Sequence, residues 1–346
     1  MKEKKMETII RKIDTTNYEE VIKEAAKIIK KSGLLIFPTE TVYGIGANAM
    51  KSQAAEKIYL AKGRPSDNPL IVHVCDMDMV DMVAKDFSEQ AKKIAEHFWP
   101  GPITIITNKK NSVPMTTTGG LETVAIRMPS NKIADDIIKK SGVPIAAPSA
   151  NISGKPSITS ENFLVEEFMG KVDMIVLGGE ANIGIESTVV DTTGDKVTIL
   201  RPGYITKKDL QEVLDEDVLL DTNLSDTNAA PKSPGMKYKH YSPNCEIYIV
   251  TGKELEKIAK IQAKLAEDQK NGIKSVALGR SFMGCFLTEF IGLGDSYEEI
   301  AKNIYTALRT LDKKGYEKAY ITAFEPIGIG FSIMDRLNKA AGHKTI

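Results

Sequence analysis

Short apolar runs that stop abruptly at glycine, proline or hydroxyl-bearing residues constrain this chain more than any other feature. The runs at 34–37, 70–74, 103–107, 123–128 and 143–147 are too short for buried helices and rich in branched side chains, so they read as buried strands. Further runs at 173–177, 186–191 and 197–201 continue the pattern. Segments of helical period lie between them. At 18–31, Val21, Ile22, Ala25, Ile28 and Ile29 recur on one face, and Gly33 closes the helix. A second helix takes Ser52 as its N-cap, buries Ala54, Ala55, Ile58 and Tyr59, and runs into Lys62. Helices also fit 88–98, 131–140 and 207–214. Strands alternating with helices predict the α/β class, with a sheet covered by helices.

The chain has 346 residues, more than one ordinary core holds. A polar stretch from Asp215 to Pro243 carries acids first (Glu216, Asp217, Asp221, Asp226) and cations after (Lys232, Lys237, Lys239), as an interdomain linker would. Beyond it, strands at 246–250, 275–278 and 318–323 alternate with helices at 253–270 and 296–313, which predicts a small parallel α/β domain. The expected division is 1–215, a linker or lid at 216–243, and 244–346.

Charge narrows the function. Lysine plus arginine equals aspartate plus glutamate at 46 each, and residues 1–215 alone carry 28 basic and 29 acidic side chains. No net field draws the chain to a nucleic-acid backbone, so any anion site must be local. Cys75, Cys245 and Cys285 are far apart and lack metal or disulfide spacing, which fits a reducing cytoplasm. A charged N-terminal segment without an apolar stretch behind it predicts no signal peptide, and no apolar run reaches membrane-spanning length.

The candidate chemistry sits in loops beside the strands, at 38–46, 62–68, 116–127 and 147–157. In an α/β sheet such loops converge on one crevice. Lys62, Arg64 and Arg127 would supply positive charge there. Thr39, Thr41, Thr123, Ser149, Asn151, Ser153 and Ser157 would supply neutral hydrogen bonds, a set suited to phosphates plus a small polar partner. A lone Lys-x-Arg is more often a solvated turn, and any one Thr/Gly loop more often an ordinary turn. Arg127 is harder to set aside: a cation in the apolar run Val124-Ala125-Ile126-Arg127-Met128 must be paired internally or line a site, and both remain open. His73, within Ile71-Val72-His73-Val74, is more often a satisfied core histidine than a catalyst. No Walker loop, dinucleotide fingerprint, nucleophile elbow or zinc-protease motif is present.

Lys62-x-Arg64 with Ser149-x-Asn151 resembles the paired signature of the YrdC/YwlC-type threonylcarbamoyl-AMP synthases. Pro38-Thr39-Glu40-Thr41-Val42-Tyr43-Gly44 and Pro148-Ser149-Ala150-Asn151-Ile152-Ser153-Gly154 match two further segments of that family. Ser233-Pro-Gly-Met-Lys-Tyr-Lys-His240-Tyr241-Ser-Pro243 is similar to the linker of its long, two-domain form. The resemblance implies a YrdC-like twisted, open, mixed sheet with a concave basic site, followed by a smaller Rossmann-like parallel α/β domain.

It also implies a reaction: L-threonine, bicarbonate and ATP give threonylcarbamoyl-AMP, pyrophosphate and water, and the threonylcarbamoyl-AMP feeds threonylcarbamoyl transfer to tRNA beside the anticodon. Lys62, Arg64, Ser149 and Asn151 would be the catalytic group, and Mg²⁺ would accompany the nucleotide without protein ligands of its own. ATP contacts carried over by motif are Arg64, Asn68, Thr123, Ser149, Ser157, Arg201 and His240. L-threonine contacts are Thr41, His73, Arg127, Ala147 and Ser187, with Arg127 pairing the carboxylate. Downstream threonylcarbamoyl-transfer proteins and tRNA are the implied partners, and no membrane is involved. Two other readings compete: an RNA-binding module without ATP turnover, disfavoured by the balanced charge, and an acylphosphate-processing domain like those joined to carbamoyltransferases, disfavoured by the absence of cysteine-rich fingers.

Overall fold

The computed structural model describes residues 7–221 and 241–346, which form two compact units. The first holds the described residues up to 221 except Gly154–Ser157 and Ile183–Ile185; those two segments belong to the second unit with residues 241–346.

The first unit runs β1 (Ile9–Lys12), α1 (Tyr18–Lys30), β2 (Leu35–Phe37), β3 (Gly44–Asn48), α2 (Ser52–Lys62), β4 (Ile71–His73), α3 (Met77–Val83), β5 (Ala84–Asp86), α4 (Glu89–Phe98), β6 (Ile103–Lys109), β7 (Thr123–Arg127), α5 (Lys132–Ser141), β8 (Ile145–Ala146), α6 (Leu164–Phe168), β9 (Met174–Leu177), β10 (Thr188–Asp191), β11 (Thr198–Arg201), α7 (Lys207–Leu214) and β12 (Leu219–Leu220). These strands make one mixed sheet in the order β1-β9-β2-β3-β8-β4-β7-β6-β10-β11-β12, with β5 on β6. The mixed α/β class expected from the sequence is the class observed. Val21, Ile22, Ala25 and Ile29 of α1 join Leu35, Ile36, Ile45 and Met174 in the main core. A second cluster joins Ile94 and Ala95 of α4 to Ile103, Ile105, Val190 and Leu210.

Several local expectations change. Residues 44–46, expected as loop, open β3: glycines weaken the strand signal, yet Leu35, Ile36 and Phe37 pair there with Gly46, Ile45 and Gly44. Ser52 is the first residue of α2 and Lys51 its N-cap; the Ser52 hydroxyl donates instead to Glu56. Glu186 and Ser187 precede β10 and do not belong to it.

The second unit adds β13 (Glu246–Val250), α8 (Glu254–Lys270), β14 (Ser275–Gly279), β15 (Phe290–Gly292), α9 (Tyr297–Lys314), β16 (Lys318–Thr322) and α10 (Ile329–Ala341). Its sheet, β13-β16-β14-β15, is parallel throughout, as the alternating pattern predicted. The expected strands and helices are present; β15 and α10 add to them.

Ile36 is fully buried at the centre of the first core. Ile36→Ala is expected to lower unfolding free energy by about 2–5 kcal/mol, read as a lower urea midpoint with an unchanged slope.

Candidate active site

Antiparallel pairing around β3 and β8 places the site. β2 and β8 run toward one edge of the sheet, and β4 and β7 leave from that same edge. Loops that follow β2 and β8 therefore meet loops that precede β4 and β7. The convergence expected from the sequence exists, but mixed registration produces it, where an all-parallel sheet would use C-terminal strand ends alone. Backbone bonds stitch the loops together: Ala150 N to Tyr43 O at 2.6 Å, Ile45 N to Pro148 O at 3.0 Å, Ser153 N to Lys62 O at 2.9 Å, and Leu70 N to Thr117 O at 3.0 Å.

Lys62 ends α2 and is not on a loop; Gly63 follows in the left-handed region (φ 60°), which stops the helix. The lysine is 1% exposed, and its ammonium donates to the carbonyls of Ser149 and Asn151. Its charge thus holds the turn whose side chains form the other half of the motif. Ser149 Oγ donates to Asn151 Oδ1 at 2.6 Å, and Asn151 Nδ2 to Ile152 O at 2.9 Å. Arg64 folds back on its own loop, with Nη2 2.6 Å from Asn68 Oδ1 and 3.1 Å from Pro69 O. Thr123 starts β7 at this same edge, since Ala125 pairs with Ile71. Lys62, Arg64, Asn68, Thr123, Ser149 and Asn151 are accordingly brought together.

His73 and Arg127 pair across β4 and β7 at the far ends of those strands. Arg127 Nη2 lies 2.7 Å from Glu40 Oε1, and both side chains are under one-tenth exposed. Glu40 lies on the loop between β2 and β3, so that loop reaches the guanidinium on β7. An internal ion pair is thus one answer to the arginine in the apolar strand. Burial alone would push the Glu40 carboxyl up; the charge and hydrogen bond of Arg127, with backbone donors, hold it below its usual value. His73 is driven down to about 3, first by burial and then by the Arg127 charge, and its Nδ1 faces Ile71 O at 3.2 Å. The imidazole is neutral at physiological pH.

Ser187 Oγ is 2.8 Å from Thr104 Oγ1, and Arg201 donates through Nε and Nη2 to Ser187 O at 3.2 and 2.8 Å. Thr41 is fully buried, its hydroxyl 3.0 Å from that of Thr39. Ala147 N donates to Ile71 O at 2.8 Å and ends the pairing of β8 with β4. Ser157 belongs to the second unit. His240 and the cationic linker residues Lys232, Lys237 and Lys239 lie outside the described residues. Glu40 was not nominated from the sequence as a functional residue. The signal was there: it is the sole acid between Glu24 and Glu56, and Arg127 required a counter-charge.

Residues 27–203 match the Sua5/YciO/YrdC family model, described as "Telomere recombination", and residues 205–342 match "Threonylcarbamoyl-AMP synthase, C-terminal domain". A threonylcarbamoyl-AMP synthase of Pyrococcus abyssi is 42% identical over 339 residues, covering 98% of this chain and 99% of its own. One of Bacillus subtilis is 41% identical over 330 residues, covering 94% of each. The crystal structure of P. abyssi Sua5 complexed with L-threonine matches with a TM-score of 0.91 at 41% identity, over 99% of this chain and 98% of that one.

His73 gives a pH test. The unfolded chain takes up its proton near pH 6.5, while the folded chain does not until about pH 3. The contribution is full above pH 6.5 and falls as pH drops below it, by about 1.4 kcal/mol per pH unit. In urea titrations, His73→Gln should remove that slope relative to the parent protein. Equal slopes in the two proteins would mean that the imidazole titrates normally in the fold.

Proposed function

The chain belongs to the threonylcarbamoyl-AMP synthase family, and we propose that it joins L-threonine, bicarbonate and ATP into threonylcarbamoyl-AMP with release of pyrophosphate. The observation that carries this is its likeness along nearly the whole chain to a protein whose structure contains L-threonine. The product would serve threonylcarbamoyl transfer to tRNA beside the anticodon.

The residues suit the chemistry. The threonine amine and bicarbonate form a carbamate with loss of water. A carbamate oxygen attacks the α-phosphorus, and pyrophosphate leaves with the electron pair of the broken P–O bond. Such a displacement needs alignment and charge neutralisation more than a protein nucleophile. Arg64, Asn68, Thr123 and Ser149 share the edge where the nucleotide would lie. Lys62 and Asn151 hold the Ser149 turn in shape, and Lys62 adds positive charge beneath it. Magnesium would enter on the phosphates and offset their charge; among the described residues no cluster of His, Cys, Asp and Glu is arranged to hold a metal.

Threonine would use the other group. Arg127 offers a planar fork to the carboxylate while Glu40 holds one arm in place. Neutral His73 adds no second cation beside it, which keeps the substrate amine from facing extra positive charge. Thr41 and Ser187 supply hydroxyls for the polar side chain, and Arg201 fixes Ser187 through its backbone carbonyl.

The test is pyrophosphate release with each of ATP, threonine and bicarbonate omitted in turn; release that ignores threonine or bicarbonate would reject the reaction. Arg64→Ala should cut kcat/KM at least a hundredfold, about 3 kcal/mol of transition-state stabilisation, with the fold intact by circular dichroism. Arg127→Gln should raise the KM for threonine about tenfold or more, and an unchanged threonine KM would remove Arg127 from that role.

A further inference from the structure

Arg127 and Glu40 are paired through only one atom each. Both side chains are under one-tenth exposed, and a single contact joins them, Nη2 to Oε1 at 2.7 Å. The arginine Nε reaches Gly101 O at 3.4 Å, and Nη1 makes no hydrogen bond among the described residues. On the glutamate, Oε2 is buried and has no hydrogen-bond partner among the described residues. Against burial, Arg127 and the backbone N–H groups of Glu40 and Ser130 keep the carboxyl ionised, yet neither N–H bonds to Oε2.

An arginine and a carboxylate that serve only each other commonly close a fork of two parallel hydrogen bonds. Here one N–H₂ arm and one anionic oxygen are left over, where an unmet polar group is most costly. Buried polar atoms without partners are rare in folded proteins, and each calls for an explanation. The charge on Oε2 favours a cationic donor, and the charge on Nη1 favours an anionic acceptor. One small group meets both needs: the head of an α-amino acid, whose ammonium and carboxylate share one carbon.

The surroundings agree with such a guest. Burial first, and then the opposed charges of Arg127 and Glu40, act on His73, so the three groups are neighbours. The imidazole is neutral and adds no cation to compete for the glutamate. The loop is braced without the carboxylate: Thr39 Oγ1 donates to Val42 O at 2.6 Å and lies 3.0 Å from Thr41 Oγ1. The outer torsion of a glutamate is broad, so Oε2 can turn toward a donor while Oε1 keeps Arg127.

We infer that Glu40 binds the α-ammonium of the threonine substrate through Oε2, beside the carboxylate held by Arg127. This rests on the threonine-using reaction proposed above and adds to it the group that tells an amino acid from a simple hydroxy acid. Every residue involved lies in the first unit.

The experiment measures equilibrium binding of two ligands to the full-length parent and to Glu40→Gln. One ligand is L-threonine; the other is 3-hydroxybutyrate, which keeps the carboxylate and hydroxyl and lacks the amine. The parent should bind threonine at least about tenfold more tightly than 3-hydroxybutyrate, and Glu40→Gln should erase that advantage by weakening threonine alone. Arg127→Gln should weaken both ligands, since both carry the carboxylate. Glu40→Asp keeps the charge but sets it back by one methylene; it should lose part of the advantage, and it carries the test if the glutamine variant does not fold. Equal weakening of both ligands in Glu40→Gln would overturn the proposal, because it means that Glu40 only holds Arg127 in place. Unchanged threonine binding would overturn it too, as would a parent with no preference for threonine over 3-hydroxybutyrate. A parent that binds threonine but shows no threonine-dependent pyrophosphate release would reject the reaction, while the two-ligand comparison would still decide Glu40. A parent that binds neither ligand would overturn both.

Discussion

The buried pair of Arg127 and Glu40 is the interaction on which the site depends. Removing two charges from water costs several kcal/mol apiece unless geometry and further hydrogen bonds repay it. Here the repayment is a 2.7 Å pair between the last residue of β7 and Glu40 on the loop between β2 and β3. In the same loop Thr39 and Thr41 are buried, and Tyr43 bonds both to Ile158 and to Ala150. The same positive charge helps keep His73 neutral. One electrostatic requirement thus shapes a loop, orders its hydroxyls and sets the protonation of a neighbour.

Lys62 makes a parallel case with a different outcome. A lysine two residues before an arginine, beside glycine and proline, suggests an exposed basic loop. The structure buries that lysine and has it donate to the carbonyls of Ser149 and Asn151. Buried ammonium groups are tolerated when their donors are satisfied. The two motifs, far apart in sequence, are therefore one unit of structure: Lys62 shapes the turn that presents Ser149, while Arg64 and Asn68 brace each other at its side.

Much of this was legible from residue order. Branched, short apolar runs have few ways to be buried, so the α/β class and most strand positions follow from hydrophobic period. The parallel C-terminal sheet follows from strands separated by helices of sufficient length for a crossover. What escaped was where local signals conflict with distant partners. Gly44 and Gly46 lower strand propensity, but Phe37 packs where their side chains would be, and the pairing with β2 wins. Ser52 looks like a cap by type, yet the backbone of Lys51 takes that position.

The sequence by itself determined which residues could be functional: the cations stranded in apolar or loop contexts and the hydroxyl-rich turns, in a chain whose charges balance. Residue chemistry and hydrophobic period are properties of the chain and survive without coordinates. Only the tertiary structure decided what each charge faces. Arg127 could have met an acid or solvent, and Lys62 a phosphate or a carbonyl. Which it is depends on mixed strand registration that brings loops from both strand directions to one edge, and on the cost of leaving a buried charge without a partner. Those quantities are set by distances between residues far apart in sequence, and local pattern cannot encode them.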